Sequence, residues 1–205
     1  MKQNFAPLIV LLLTSPAFAD GYSTDIELLQ PGFSVDGLPG IDSPAMLDEV
    51  NVWHTGILTQ YEQDPLVLYD SGYEVGPIVE NRVAMHLGMT YAISRNAAVR
   101  LVLPTYFNSG TQAPIYEADG GGLGDLSLGI RFQALKAGPF TAAVRADIAA
   151  PTGRKDSYMG EESLRTGAAL LTQLELGPVD WLVDVGALAR SKVETQSNVR
   201  ECFTS

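Results

Sequence analysis

The feature of this sequence that most constrains its fold is a series of segments, each about ten residues long, in which apolar and polar side chains alternate. Because successive side chains of a β-strand point to opposite faces of a sheet, a period of two residues predicts strands rather than helices. The alternation is clear at residues 82–93, 125–133 and 140–150, weaker at 99–107 and 181–190, and least regular at 50–61 and 166–176. The sequence therefore predicts about seven strands and an all-β fold.

The connections between these segments alternate in length. Short turns are expected at residues 94–96, 137–139 and 177–178, and long polar loops at 62–79, 108–122 and 151–165. Bacterial membrane barrels have short turns at one end and long loops at the other. The pattern predicts an antiparallel up-and-down outer-membrane β-barrel over residues 50–191. Since an unpaired strand edge is unfavourable in lipid, we expect the barrel to be incomplete in this chain.

The remaining residues are expected to flank this barrel. Residues 1–19 resemble a secretory signal peptide, with Lys2, an apolar run at 8–13 and small residues before the expected cleavage point. That run is shorter than the ~20 residues of a membrane-spanning helix. Residues 20–49 are rich in Gly, Pro and Asp and are interpreted as a periplasmic lead-in that does not pack. Residues 192–205 are expected to form an irregular tail, after which the chain is truncated or continues.

Composition excludes several classes of function. The formal net charge is −11, so binding to nucleic acid or anionic lipid headgroups is not expected. A single cysteine, Cys202, allows no disulfide within the chain. His54 and His86 stand without the companions that a metal site or a catalytic triad requires. The sequence therefore predicts no enzyme, no cofactor and no metal.

Aromatic residues cluster near the expected strand ends. Such side chains prefer the boundary between lipid and water, although ordinary core aromatics at strand ends are the alternative. The residues concerned are Trp53, Tyr61, Tyr69, Tyr73, Tyr106, Phe107 and Trp181.

Two glycine-rich motifs, Gly121 to Gly129 and Ala150-Pro151-Thr152-Gly153, resemble the barrel of OmpA-like outer-membrane proteins. They are more distantly similar to the outer-membrane transporter family associated with phenol meta-pathway degradation. In such families Gly-Leu-Gly-Asp opens one strand and Pro-Thr-Gly closes the next. Residues 65–70 also resemble the first outer loop of long OmpA-like proteins. The resemblance covers about residues 50 to 190 and implies a barrel of the Gram-negative cell envelope. Nothing matches a peptidoglycan-binding domain, so cell-wall anchoring is not implied.

The stretch from Asp119 to Asp125 invites a calcium or phosphate interpretation, but one copy of a glycine motif without a following helix favours a flexible outer loop. Acidic residues in the expected outer loops are interpreted as a solvated surface, with a cation bridge to lipopolysaccharide as the alternative. These are Asp64, Asp70, Asp156, Glu161 and Glu162.

The polar faces of the strands carry the candidate functional residues. If residues 137–139 form a three-residue connection, Arg131 lies opposite Arg145, with Asp147 on the same face. Opposed like charges are unfavourable, so acidic neighbours or water must compensate. We predict a lumen with either a plug of ion pairs or a narrow polar channel; the alternative is the solvent face of a soluble sheet. The lumen-facing candidates are Arg82, His86, Arg100, Arg131, Arg145, Asp147, Asp184 and Arg190.

These features together predict an outer-membrane β-barrel, similar to a porin, with a structural or pore-forming role. The expected partners are outer-membrane lipid, lipopolysaccharide and the barrel-assembly machinery, with an oligomer or missing C-terminal strands completing the wall. Two alternatives remain: a soluble periplasmic β-sandwich that binds a small ligand, and an outer-membrane transporter of small apolar compounds.

Overall fold

The computed structural model describes residues 31–34, 37–38, 40–47, 49–70, 73–110, 119–153, 158–161 and 163–190. Residues 1–19, for which a signal peptide is expected, and residues 192–205, the expected tail with Cys202, lie outside these residues. Among the described residues, no helix is long and apolar enough to cross a membrane. The eight strands are β1 (Trp53–Asp70), β2 (Tyr73–Ser94), β3 (Ala97–Ser109), β4 (Gly120–Leu123), β5 (Leu126–Ala137), β6 (Phe140–Ala150), β7 (Arg165–Leu176) and β8 (Val179–Ala189).

All eight strands belong to one antiparallel sheet, which is strongly curled into an open half-barrel. The order is β1-β2-β3-β5-β6-β7-β8, so, apart from the short β4, which pairs only with β3, each strand lies beside its neighbour in sequence. The predicted all-β antiparallel, up-and-down arrangement is confirmed. The described strands form a single sheet. They therefore do not form the β-sandwich considered as an alternative, which needs two sheets packed face to face.

The expected long loop at residues 62–79 was wrong, because β1 and β2 continue through it as a long hairpin. The polar residues that suggested a loop occupy an irregularity in the pairing, where the register shifts between Gln63 and Leu66 and Asp64 has a positive φ of 48°. Beyond it, Val67 pairs with Pro77. The eighth strand, β4, was not predicted, since its sequence is almost entirely glycine.

The short turns at residues 95–96, 138–139 and 177–178 confirm the predicted turn positions, and we call this side of the sheet the turn end. The opposite side, where β1 ends at Asp70 and β2 begins at Tyr73, is the hairpin end. The connection between β5 and β6 has two residues rather than three, but a bulge between Gln133 and Leu135 inserts one more residue. Arg131 therefore still lies opposite Arg145, as predicted.

The two faces of the sheet have the reverse of the polarity of a water-soluble protein. The convex face is apolar and exposed: Trp53 is 63% exposed, and side chains such as Leu87, Leu128 and Val185 lie on the same side. On the concave face many of the buried apolar residues are alanines, such as Ala84, Ala98 and Ala143, and the largest fully buried side chains include Arg82 and His86. An arginine side chain is almost never fully buried in a soluble core unless it is paired.

Candidate functional site

The concave face holds a segment of the chain that precedes the first strand. We call the described part of residues 31–47 the inner segment. The Phe33 ring lies against Gly56 and Gly88, where a Cβ at either position would meet the ring. The Thr90 hydroxyl donates a hydrogen bond of 2.8 Å to the carbonyl of Phe33. The expectation that this lead-in does not pack was therefore wrong for its described part, because glycines on β1 and β2 leave room for an aromatic ring.

Asp42 anchors the inner segment in the middle of the sheet. Its side chain is 2% exposed, and its Oδ2 atom lies 2.9 Å from Arg100 Nη1 and 2.5 Å from Arg145 Nη1. The neighbouring residue, Ser43, accepts a hydrogen bond of 2.8 Å from Arg131 through its carbonyl oxygen. The arginines come from β3, β5 and β6, so one short stretch of the inner segment ties three strands together.

Two carboxylates of the sheet, Asp147 and Asp184, complete this cluster of ion pairs, which we call the central network. Asp147 lies 2.6 Å from Arg100 and 2.7 Å from Arg145, and Asp184 of β8 lies 3.3 Å from Arg145. Three arginines thus face three aspartates. This balance is the acidic compensation expected for the opposed Arg131 and Arg145, but one of its members, Asp42, comes from outside the strands.

Burial alone would raise the pKa of Asp42, but the positive charges of Arg100, Arg145 and Arg131 lower it more, so it lies below its usual value of 3.8. Asp42 is therefore ionised at neutral pH. A carboxylate with a lowered pKa in the folded state stabilises the fold fully above about pH 4, the unfolded value. That contribution is lost as the pH falls through the folded pKa.

Side chains of the sheet also bind the backbone of the inner segment. Arg100 and Gln133 donate hydrogen bonds of 3.4 Å to the carbonyls of Pro31 and Pro44, and the Ser43 hydroxyl lies 3.2 Å from the Gln173 side chain. Buried carbonyl groups need such partners. The inner segment is thus held by polar groups on β3, β5 and β7 without forming a strand of the sheet.

We expect Gly88→Ala to dislodge the inner segment, because the added methyl group would overlap the Phe33 ring. Limited proteolysis should then cut within residues 31–47 at least ten times faster, which corresponds to about 1.4 kcal/mol of lost docking energy. Gly167→Ala is the matched control on the same face, since its Cβ would lie 3.5 Å from Leu188, an ordinary contact. Equal cleavage of the two variants would contradict the packing of Phe33 against Gly88.

At the hairpin end, the two glycine-rich motifs are joined by hydrogen bonds. Asp125 is buried and accepts hydrogen bonds of 2.9 Å from the backbone N–H of Gly153 and 2.8 Å from that of Glu161. The Thr152 hydroxyl accepts from the Leu126 N–H at 2.9 Å and lies 3.2 Å from the Gly124 carbonyl. The stretch before Asp125 forms β4 rather than the flexible loop that was expected, and Asp125 itself fastens the loop after β6.

This loop covers a second buried cluster. Met159 packs with Ala84 and Tyr106, and the Arg82 guanidinium lies 3.8 Å from the centre of the Tyr106 ring. Arg82 also donates a hydrogen bond of 3.4 Å to the Tyr158 carbonyl. His86 meets the edge of the Tyr106 ring, with 6.0 Å between ring centres. Tyr106 was predicted at a lipid boundary and is buried instead. Its position in the alternation of β3 directs its side chain to the concave face, as for Val102 and Pro104.

Asp125→Ala should release the loop after β6, because two backbone N–H groups would lose a charged acceptor. Each such hydrogen bond contributes about 1.5–3 kcal/mol. Amide hydrogen exchange at Gly153 and Glu161 should become at least a hundredfold faster, whereas residues of the inner segment should keep their protection. Unchanged exchange at Gly153 would show that Asp125 does not hold the loop.

All eight predicted lumen-facing residues lie on or beside the concave face. Arg100, Arg131, Arg145, Asp147 and Asp184 meet in the central network, and Arg82 and His86 lie under the loop after β6. The last one, Arg190, follows β8 at the rim, where its Nη1 atom lies 3.7 Å from Glu161.

The acidic residues of the expected outer loops differ in their environments. Glu161 also lies 3.3 Å from Arg165, so it is an ion-paired residue rather than the solvated one expected. Asp64 is exposed. Asp156 and Glu162 lie outside the described residues, as does the Asp70 side chain. Within the described part of the chain, no three His, Cys, Asp or Glu side chains are placed to hold a metal ion.

No family model, curated protein or solved structure matches this chain.

Aromatic side chains, exposed except for the half-buried Tyr91, mark two levels of the convex face. Trp53, Tyr91 and Trp181 lie at the turn end, where the Trp53 and Tyr91 rings are 4.5 Å apart. Tyr61 and Phe107 lie towards the hairpin end, in one cross-strand row on either side of Val83. Between these two levels the convex face is formed largely by aliphatic side chains.

Proposed function

We propose that this chain forms part of an outer-membrane β-barrel with a structural role in the cell envelope and a filled, non-catalytic interior. The observation that carries this proposal is the inverted polarity of the sheet, with apolar side chains on the exposed convex face and ionised ones on the buried concave face. In water, a large continuous apolar surface is unfavourable and rare in monomeric proteins. In lipid the same surface is solvated by acyl chains.

The dimensions of the convex face fit a bilayer. Eight residues separate Trp53 from Tyr61, which is about 27 Å along a strand at ~3.4 Å per residue. With the usual tilt of about 40°, this length corresponds to a band about 20 Å high, close to the ~25 Å apolar band of outer-membrane barrels. Aromatic girdles at both limits of that band are a further property of such barrels. The positions of Trp53, Tyr91, Trp181, Tyr61 and Phe107 support this comparison.

The contents of the concave face favour a plug of ion pairs over an open channel. The cavity beside Asp42, Arg100 and Arg145 has a volume of about 10 Å³, room for about one water molecule. Described residues of the inner segment contact the turn-end half of the face at Thr90, and Tyr158 and Met159 after β6 contact the hairpin-end half at Arg82 and Tyr106. A charged interior of this kind also gives no support to the uptake of apolar compounds.

A lipid-inserted form of this sheet needs additional strands. Among the described residues β1 and β8 each pair with one neighbour only, and their outer edges carry backbone groups that lipid cannot satisfy. Further strands, from additional sequence or from another copy, would close the wall. Export by the signal peptide over residues 1–19, insertion by the barrel-assembly machinery, contact with lipopolysaccharide and kinship to OmpA-like proteins belong to the same proposal.

The proposal is tested by adding the full chain, unfolded in urea, to vesicles of outer-membrane lipid and separating them on a density gradient. We expect the protein to float with the vesicles and to migrate differently on SDS gels before and after boiling. Protein that stays in solution, folded and monomeric, with the same gel migration in both samples would overturn the membrane proposal.

A further inference from the structure

The central network has an unusual division of charge between the sheet and the inner segment. The strands supply three arginines, Arg100, Arg131 and Arg145, but only two of the aspartates, Asp147 and Asp184. The third negative charge, that of Asp42, is brought by a segment that forms no strand of the sheet. Without Asp42, the concave face would therefore hold one buried positive charge in excess.

The arginines also have more donors than the inner segment satisfies. Arg131 is 6% exposed, and its Nε and Nη2 atoms have no hydrogen-bond partner among the described residues. Arg100 Nε and Asp42 Oδ1 are likewise without a partner in this part of the chain. These residues line the small cavity beside Asp42. Because Asp42 is fixed to the backbone, its carboxylate cannot turn to meet all three guanidinium groups.

We propose that Arg100, Arg131 and Arg145 form a carboxylate-binding site that Asp42 occupies from within the chain, and that a small monocarboxylate binds there when Asp42 is withdrawn. A planar carboxylate offers two acceptor oxygens to the forked donors of arginine. A free carboxylate can turn, so its second oxygen can reach the donors of Arg131 that Asp42 leaves unused. A monoanion restores neutrality, whereas a dianion would exceed it because Asp147 and Asp184 remain. This inference goes beyond the proposed function, and its chemistry is the same in lipid, detergent or water.

The test uses the full-length Asp42→Ala variant, folded in detergent micelles, and acetate as the probe. Removal of the carboxyl group leaves space in front of the arginines while the rest of the inner segment stays in place. At 100 mM sodium acetate we expect the melting temperature of Asp42→Ala to rise roughly 2–4 °C above its value in 100 mM sodium chloride. Wild-type protein should show no such difference, because Asp42 already fills the site.

Two controls separate site binding from general effects of the salt. Acetamide has the shape of acetate without its charge and should give no shift. The double variant Asp42→Ala with Arg145→Ala should lose the response to acetate. Equal melting temperatures of Asp42→Ala in acetate and chloride, or an equal acetate effect on wild type, would overturn the proposal.

Asp42→Ala could fail to fold in chloride, and refolding yield then provides the same test. Recovery of folded, protease-resistant protein in acetate but not in chloride would support the site, and failure in both salts would overturn it. Neither experiment depends on lipid. A failure of vesicle flotation would therefore count against the membrane proposal only. The carboxylate site is tested by the melting and refolding experiments alone.

Discussion

Ile130→Arg is expected to lower the free energy of unfolding of the lipid-inserted protein by about 2–4 kcal/mol, the cost of a cation at the middle of a bilayer. Ile130 lies near the centre of β5 on the convex face and is 52% exposed. If this face met water, an arginine at so exposed a position would change stability by about 0.5 kcal/mol or less. Urea unfolding from vesicles, followed by fluorescence, measures the difference.

Leu176→Arg provides the matched control. Leu176 is also 52% exposed, but it is the last residue of β7, at the turn end beside residues 177–178. An arginine near the interface costs about 0–1 kcal/mol because its charge reaches water. The two variants should therefore differ by at least about 1 kcal/mol. Equal and small effects would mean that the centre of the convex face is not in lipid.

Arg145→Ala is expected to destabilise the fold by about 3–5 kcal/mol, because it leaves buried charges without a partner. Arg145 contacts Asp42, Asp147 and Asp184, and its side chain is largely buried. After its removal, three carboxylates would share two arginines. The same urea titration measures the loss, and proteolysis within residues 31–47 shows whether the inner segment is released.

Arg95→Ala is the control for the loss of an arginine. Arg95 lies in the exposed turn between β2 and β3, where removing a solvated charge should change stability by less than about 0.5 kcal/mol. An Arg145→Ala variant as stable as Arg95→Ala would show that the central network contributes little to the fold.

The face of the sheet to which each side chain points could be predicted from the sequence, because it depends only on the local alternation of apolar and polar residues. In β5, Leu128 and Ile130 face outwards and Arg131 inwards, and Arg131 lies opposite Arg145. The same alternation, applied along β3, would have placed Tyr106 inside. Its position near a strand end suggested a lipid boundary, but cation–π contact with Arg82 and burial under Met159 stabilise the inward ring.

The role of Asp42 could not be predicted in this way. Its partners lie 58 and 103 residues further along the chain, and its own segment has no periodicity that assigns it to a face. One signal was present: the inward-facing arginines outnumbered the inward-facing aspartates of the same strands. Similarly, the polar residues 62–64 suggested a loop, whereas the structure accommodates them at an irregularity within a long hairpin.

Quenching of tryptophan fluorescence by brominated lipids measures whether the convex face meets lipid. The chain has two tryptophans, Trp53 and Trp181, and both are exposed on the convex face near the turn end. We predict strong quenching in vesicles, greater for bromine near the headgroups than for bromine near the bilayer centre, with little effect of aqueous iodide. Strong quenching by iodide with none by brominated lipid would mean that the convex face meets water and not lipid.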